Sequence, residues 1–155
     1  MNKAVVVFAL VVVGGLSTIA SQARAAEKSK KGGTAILMPA GDIKWTDVPQ
    51  FPGVKMAVLQ GDPDKGAHHT LIKLPAGFTA PLHHHTSDHY ATVLSGTMVF
   101  TVDGKEQRLP PGSYFSFTGK KTHITKCDAG TDCVISNDVR GKWDVVPEEG
   151  KAAKM

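Results

Sequence analysis

Gly77-Phe-Thr-Ala-Pro-Leu-His83-His84-His85-Thr-Ser-Asp-His89-Tyr-Ala-Thr-Val-Leu-Ser-Gly96 gathers four histidines into one short stretch between two glycines. Successive side chains of an extended strand point to opposite faces, so His83 and His85 share a face and His84 takes the other. Thr86, Ser87 and Asp88 form a polar run suited to turning the chain, after which His89 returns a side chain to the same interior. Imidazole nitrogens at this spacing suit iron, nickel, copper or zinc better than magnesium or calcium. The competing reading of each histidine alone is a polar surface residue, and His84, His68 and His69 fit that class. By strand parity, however, His68 goes with Ile72 and Leu74 and so has an inward option, while His69 goes with Lys73.

As a pattern the segment reads G-x5-H-x-H-x3-H-x6-G, which resembles the first motif of the cupin family with His89 where Glu is usual. Gly104 to Gly112, Gly-Lys-Glu-Gln-Arg-Leu-Pro-Pro-Gly, is similar to the opening of the second cupin motif, and His123 stands where many cupins supply their last ligand. Cys127 replaces an Asn that sometimes follows. The resemblance implies an all-β fold, an antiparallel jelly-roll β-barrel, and a metal site made by His83, His85, His89 and His123. It implies one divalent transition-metal ion: iron if the protein is an enzyme, with zinc, nickel, copper and manganese as alternatives. Four imidazoles also resemble the acetylacetone-dioxygenase and ChrR-like group of cupins. That likeness implies a metal-dependent dioxygenase acting on a small chelating molecule such as a diketone or phenolic ketone. The alternative is a non-catalytic exported module that binds a metal or a small ligand.

Other segments agree with a β architecture. Apolar runs at Thr34–Met38, Val54–Leu59, His68–Leu74, His89–Leu94, Met98–Val102, Tyr114–Phe117, His123–Cys127 and Val134–Asn137 are separated by turn signals. Asp103-Gly104 is a two-residue hairpin signal, and no part of the chain after residue 25 shows helical periodicity. Asp88 has two readings, orienting a ligand imidazole or capping its turn. Tyr90 alternates away from His89, whereas Ala91 and Val93 share its face. Phe100, Phe115, Phe117 and Met98 are candidates for pocket lining or for ordinary core.

Residues 1–25 read as a secretory signal peptide: Lys3, an apolar run from Ala4 to Val13, and Ala23-Arg24-Ala25 as the cleavage site. The apolar run is shorter than the ~20 residues of a spanning helix. We expect a secreted or periplasmic protein, with a leader over residues 26–33, one cupin domain over 34–147 and a tail over 148–155. Cleavage removes two of 18 basic side chains and none of 14 acidic ones, leaving a net charge of about +2. The surplus sits in the tails with no stripe of interleaved aromatics, so it reads as solvated surface and argues against a nucleic-acid partner, while the resemblance implies a small-molecule ligand. No membrane contact is expected after cleavage, and a homodimer is compatible with the reading. Cys127 and Cys133 flank Asp-Ala-Gly-Thr-Asp, a polar turn between two strands. In an oxidising compartment they are expected to pair, the alternatives being free thiols or a thiol near the pocket.

Overall fold

The computed structural model describes residues 34–148, and the expected signal peptide and leader, with all but the first residue of the expected tail, lie outside them. Thr34–Leu37 are grouped apart from the unit that begins at Met38, to which every strand and site described below belongs. Among the described residues eleven strands follow in order: β1 Thr46–Asp47, β2 Lys55–Gly61, β3 His68–Leu74, β4 Thr79–His84, β5 His89–Ser95, β6 Met98–Val102, β7 Lys105–Leu109, β8 Tyr114–Phe117, β9 His123–Cys127, β10 Cys133–Val139 and β11 Val146–Pro147. They form a six-stranded sheet in the order β1-β2-β3-β10-β5-β8 and a five-stranded sheet in the order β11-β4-β9-β6-β7. All pairings are antiparallel, which is the expected jelly roll.

Alternation decides which residues make the core. In β3, His68, Thr70, Ile72 and Leu74 are buried while the residues between them are only partly so. In β10 the buried set is Cys133, Ile135, Asn137 and Val139. These faces meet Met98, Phe100, Phe115 and Phe117 in one cluster. Burying a side chain such as Met98 contributes roughly 1.5–3 kcal/mol.

The expected strand at Thr34–Met38 is absent. An apolar run becomes a strand only where a neighbouring ladder satisfies its backbone, so hydrophobic pattern alone does not make one here. Conversely, Lys105–Leu109 forms a strand although its side chains are mostly charged and exposed. It is the edge of its sheet, where charge discourages further pairing. The Asp103-Gly104 turn that launches it has positive φ at both residues, 50° and 75°, the type I′ requirement.

Cys127 and Cys133 are bonded, with Cα atoms 5.7 Å apart, tying the end of β9 to the start of β10 and so one sheet to the other. Gly96 fits under this bridge. Its φ is +67°, and a Cβ there would lie 2.8 Å from Cys133 Sγ, so only glycine is accommodated. Protein denatured without reductant is expected to show no alkylatable thiol. Replacing both cysteines by serine should lower the unfolding free energy by about 2 kcal/mol in a urea titration, given the short loop closed; an unchanged midpoint would count against the bridge.

Candidate metal centre

Strand β4 would not deliver its histidines correctly if it were regular. Ala80 and His83 are both buried although three residues apart. The ladder with β9 runs through Thr79 and Ala80, then shifts and resumes at His83. This bulge at Pro81-Leu82 resets the alternation, and Pro81, which has no N–H to give the ladder, sits within it. Beyond it His83 and His85 turn inward, while His84 points away and its Nδ1–H donates to Glu148 at 2.8 Å.

His123 enters from the first position of β9, directly opposite His83, and His89 from the first position of β5 in the other sheet. All four histidines are buried. The donor atoms of His83, His85 and His123 lie within 4.8 Å of one another. His89 is not in that trio, although its ring packs edge-on to His85 with centroids 4.6 Å apart. Two aromatics fix the rings: Phe117 stacks on His123 at 3.6 Å and Trp143 on His85 at 4.3 Å.

The trio shares one hydrogen-bond scheme. His83 Nδ1–H donates to Pro81 O at 2.6 Å, His85 Nδ1–H to Asp144 O at 2.5 Å and His123 Nδ1–H to Lys121 O at 3.0 Å. Each bond fixes the tautomer and leaves the Nε2 lone pair free, the arrangement that metal-bound histidines need. Desolvation holds all four rings neutral, with smaller contributions from neighbouring histidines. His85 and His123 are pushed down to about 3 and His89 to about 4, and His83 is also lowered. Three neutral, pre-oriented imidazoles converging out of water fit a divalent transition metal.

The trio opens on an apolar cavity of about 80 Å³. Met98, Phe100, Phe115, Ile72, Ile135 and Trp143 are among its walls, and Phe51 and Phe78 meet edge to face at 6.0 Å among the residues lining it. Thr125 reaches the cavity from the face of His123, whereas Cys127 is committed to the disulfide.

Other candidates take plainer roles. The Asp88 carboxylate accepts from Gly119 N–H at 2.9 Å, fastening a turn rather than a ligand ring. His69 bonds Ser136 on the outer face, and Tyr90 packs under Arg140. His68 takes its inward option and is buried, but does not line the cavity. The sequence reading missed Trp143 and Asp144. Their one signal is a lone tryptophan in a polar stretch, Gly141-Lys142-Trp143-Asp144.

His85→Ala should abolish most retention of a divalent metal after desalting, while His84→Ala should leave it nearly intact; equal losses would contradict the inward and outward assignment. A second expectation concerns metal-free protein. Below the ordinary histidine pKa of 6.5, the unfolded chain binds protons that the native rings refuse, so stability is lost as pH falls from about 6.5 toward 4 and 3. Urea midpoints should already drop between pH 7 and 5, above the carboxylate range, and a flat midpoint there would show that the rings are not held neutral.

The family described as Domain of unknown function (DUF4437) matches residues 19–146. The chain is 29% identical over 112 residues to the DNA damage-repair/toleration protein DRT102 of Arabidopsis thaliana, covering 71% of this chain and 34% of that protein. It therefore spans about a third of the length of that curated relative. Among solved structures, it resembles the polyketide cyclase RemF from Streptomyces resistomycificus, with a TM-score of 0.62 and 18% identity over 75% of this chain and 89% of the other. It also resembles an RmlC-like cupin from Ralstonia eutropha JMP134, with a TM-score of 0.62 and 24% identity over 75% and 74%. Likeness at these identities is likeness of fold, and with the family match over most of the chain it leads to one statement: the chain has the cupin fold and belongs to the family described as Domain of unknown function (DUF4437).

Proposed function

We propose that this is an exported, metal-dependent dioxygenase of a small chelating organic molecule, a diketone or phenolic ketone. The observation that carries the reading is the trio of tautomer-fixed imidazoles opening on a small apolar cavity. When bound, a divalent iron ion would supply Lewis acidity toward chelating oxygens and reactivity toward O2.

The chain's residues hold and orient. His83, His85 and His123 present neutral nitrogens, leaving a bound cation its full charge, which favours ligands that bind as anions such as enolates. Met98, Phe100 and Phe115 pack against the carbon skeleton and exclude water. The small cavity favours compact substrates. In the overall reaction both atoms of O2 enter the cleaved products, so no external reductant is consumed. Similarity of fold to a polyketide cyclase places one enzyme among the neighbours, without transferring its substrate. Export is supported by the residue 1–25 pattern and by the disulfide.

His89 supports a second reading. Buried beside His85, it is placed to serve as a fourth ligand, and four imidazoles around one ion describe a closed, non-catalytic site. Metal analysis of protein from the exported fraction, followed by oxygen-electrode assays with acetylacetone, separates the two. The enzyme reading expects iron and equimolar uptake of O2 and diketone, lost in His123→Ala. Stoichiometric zinc with no O2 uptake in the iron-reconstituted protein would overturn it in favour of the binding module.

A further inference from the structure

Among the described residues, five buried side-chain atoms have no hydrogen-bond partner: Nε2 of His68, Oγ1 of Thr70, Nδ1 of His89, and both Oδ1 and Nδ2 of Asn137. They belong to adjoining positions of one sheet face. Asn137 on β10 lies opposite Thr70 on β3 and opposite Ala91 on β5. One inward row along, Val139 lies between His68 and His89. Directly opposite side chains on such a face are about 5 Å apart and diagonal ones about 7 Å. The Asn137 amide thus has Thr70 and Ala91 directly across from it, His68 and His89 on the two diagonals toward Val139, and the apolar Ile72 and Val93 on the other two.

Buried amides are almost always satisfied, and one with neither atom bonded marks an absent partner. The inventory of donors and acceptors identifies it. His68 Nδ1–H is given to Gly66 O at 2.8 Å, so its Nε2 accepts. The Ser87 carbonyl lies beside the His89 ring and keeps its proton on Nδ1, as the carbonyls two residues upstream do for His83 and His123, but it makes no well-aligned hydrogen bond, so the Nδ1–H still needs an acceptor. Asn137 and Thr70 each donate and accept. A small molecule with both donors and acceptors links all four groups. Asn137 and Thr70 are 0% exposed and do not line the apolar cavity, so no organic ligand reaches them. The chemistry is that of buried water, which bridges two to four otherwise unsatisfied groups.

We infer that Asn137, Thr70 and His68 enclose internal water on the inner face of the six-stranded sheet, and that this water accepts the Nδ1–H of His89. Asn137 is then a positioning residue. Through water it completes for His89, whose Ser87 carbonyl is poorly aligned, what the carbonyls of Pro81, Asp144 and Lys121 do directly for the other three rings. The effect on metal affinity rests on the reading above in which His89 serves as a fourth ligand, whereas the water site does not.

High-resolution crystallography of the wild-type protein should show ordered water within hydrogen-bond distance of the Asn137 amide and His89 Nδ1. The sign of a stability change gives a second test. If the amide is simply bare, Asn137→Leu removes a desolvated group and raises the urea midpoint; if it anchors water shared with three neighbours, the same change lowers it. In a cobalt(II) titration, Asn137→Leu should weaken binding about tenfold to a hundredfold and alter the cobalt visible bands. Asn137→Ser should recover part of the affinity, and Ser136→Ala, on the outer face, should change nothing. Absence of water density, or a stabilised Asn137→Leu protein, overturns the inference. A wild-type protein that takes up no cobalt overturns the metal reading instead, and the water density with the direction of the stability change still decides this one. Should Asn137→Leu fail to fold, the wild-type density alone decides.

Discussion

Three backbone carbonyls, of Pro81, Asp144 and Lys121, each take the Nδ1–H of a buried histidine, and the functional geometry depends on that one repeated interaction. An imidazole free to rotate or to exchange tautomers offers a lone pair in no particular direction. Pinned by a carbonyl, it presents Nε2 along one line. The carbonyls belong to different kinds of segment: a bulge in β4, the stretch before β11 and the loop before β9. The fold is arranged so that three irregular pieces of backbone each leave an acceptor uncommitted. Burial does the rest by making the charged form of each ring unfavourable.

Much of this was legible in the sequence because strand parity is a strict rule. His83 and His85 inward with His84 outward follows from a period of two, and the glycine-bracketed motifs carry the jelly roll with them. What parity cannot show is where it is broken. The bulge at Pro81-Leu82 lies just upstream of the histidines and determines the face they adopt, yet it exists only in register against β9. Trp143 and Asp144 were invisible for a related reason. They reach His85 from about sixty residues along the chain, and nothing local marks them as part of the site. Asn137 sits within an otherwise unremarkable strand, and its importance appears only when its neighbours on two other strands are known.

The polar edge strand Lys105–Leu109 and the apolar Thr34–Met38, which forms no strand, illustrate the same boundary from opposite sides. Hydrophobic pattern reports which residues want to be buried. Strand formation is decided by whether a partner ladder is present. The Asp103-Gly104 turn supplied that partner for a segment that composition alone would have left as loop.

His83 and His123 come from the five-stranded sheet, with His85 just beyond its β4, whereas His89 comes from the six-stranded sheet. His83 and His123 are therefore fixed relative to one another by a single hydrogen-bonded ladder, with His85 following two residues after His83, and the spacing of the three is indifferent to how far apart the two layers stand. His89 approaches across the interior. Its distance from the others measures the gap between layers, as a feeler gauge does. Any influence that presses the sheets together or lets them part, whether a molecule wedged between the aromatic walls or tension transmitted through the Cys127–Cys133 staple, registers first at this one ring and leaves the remaining trio intact.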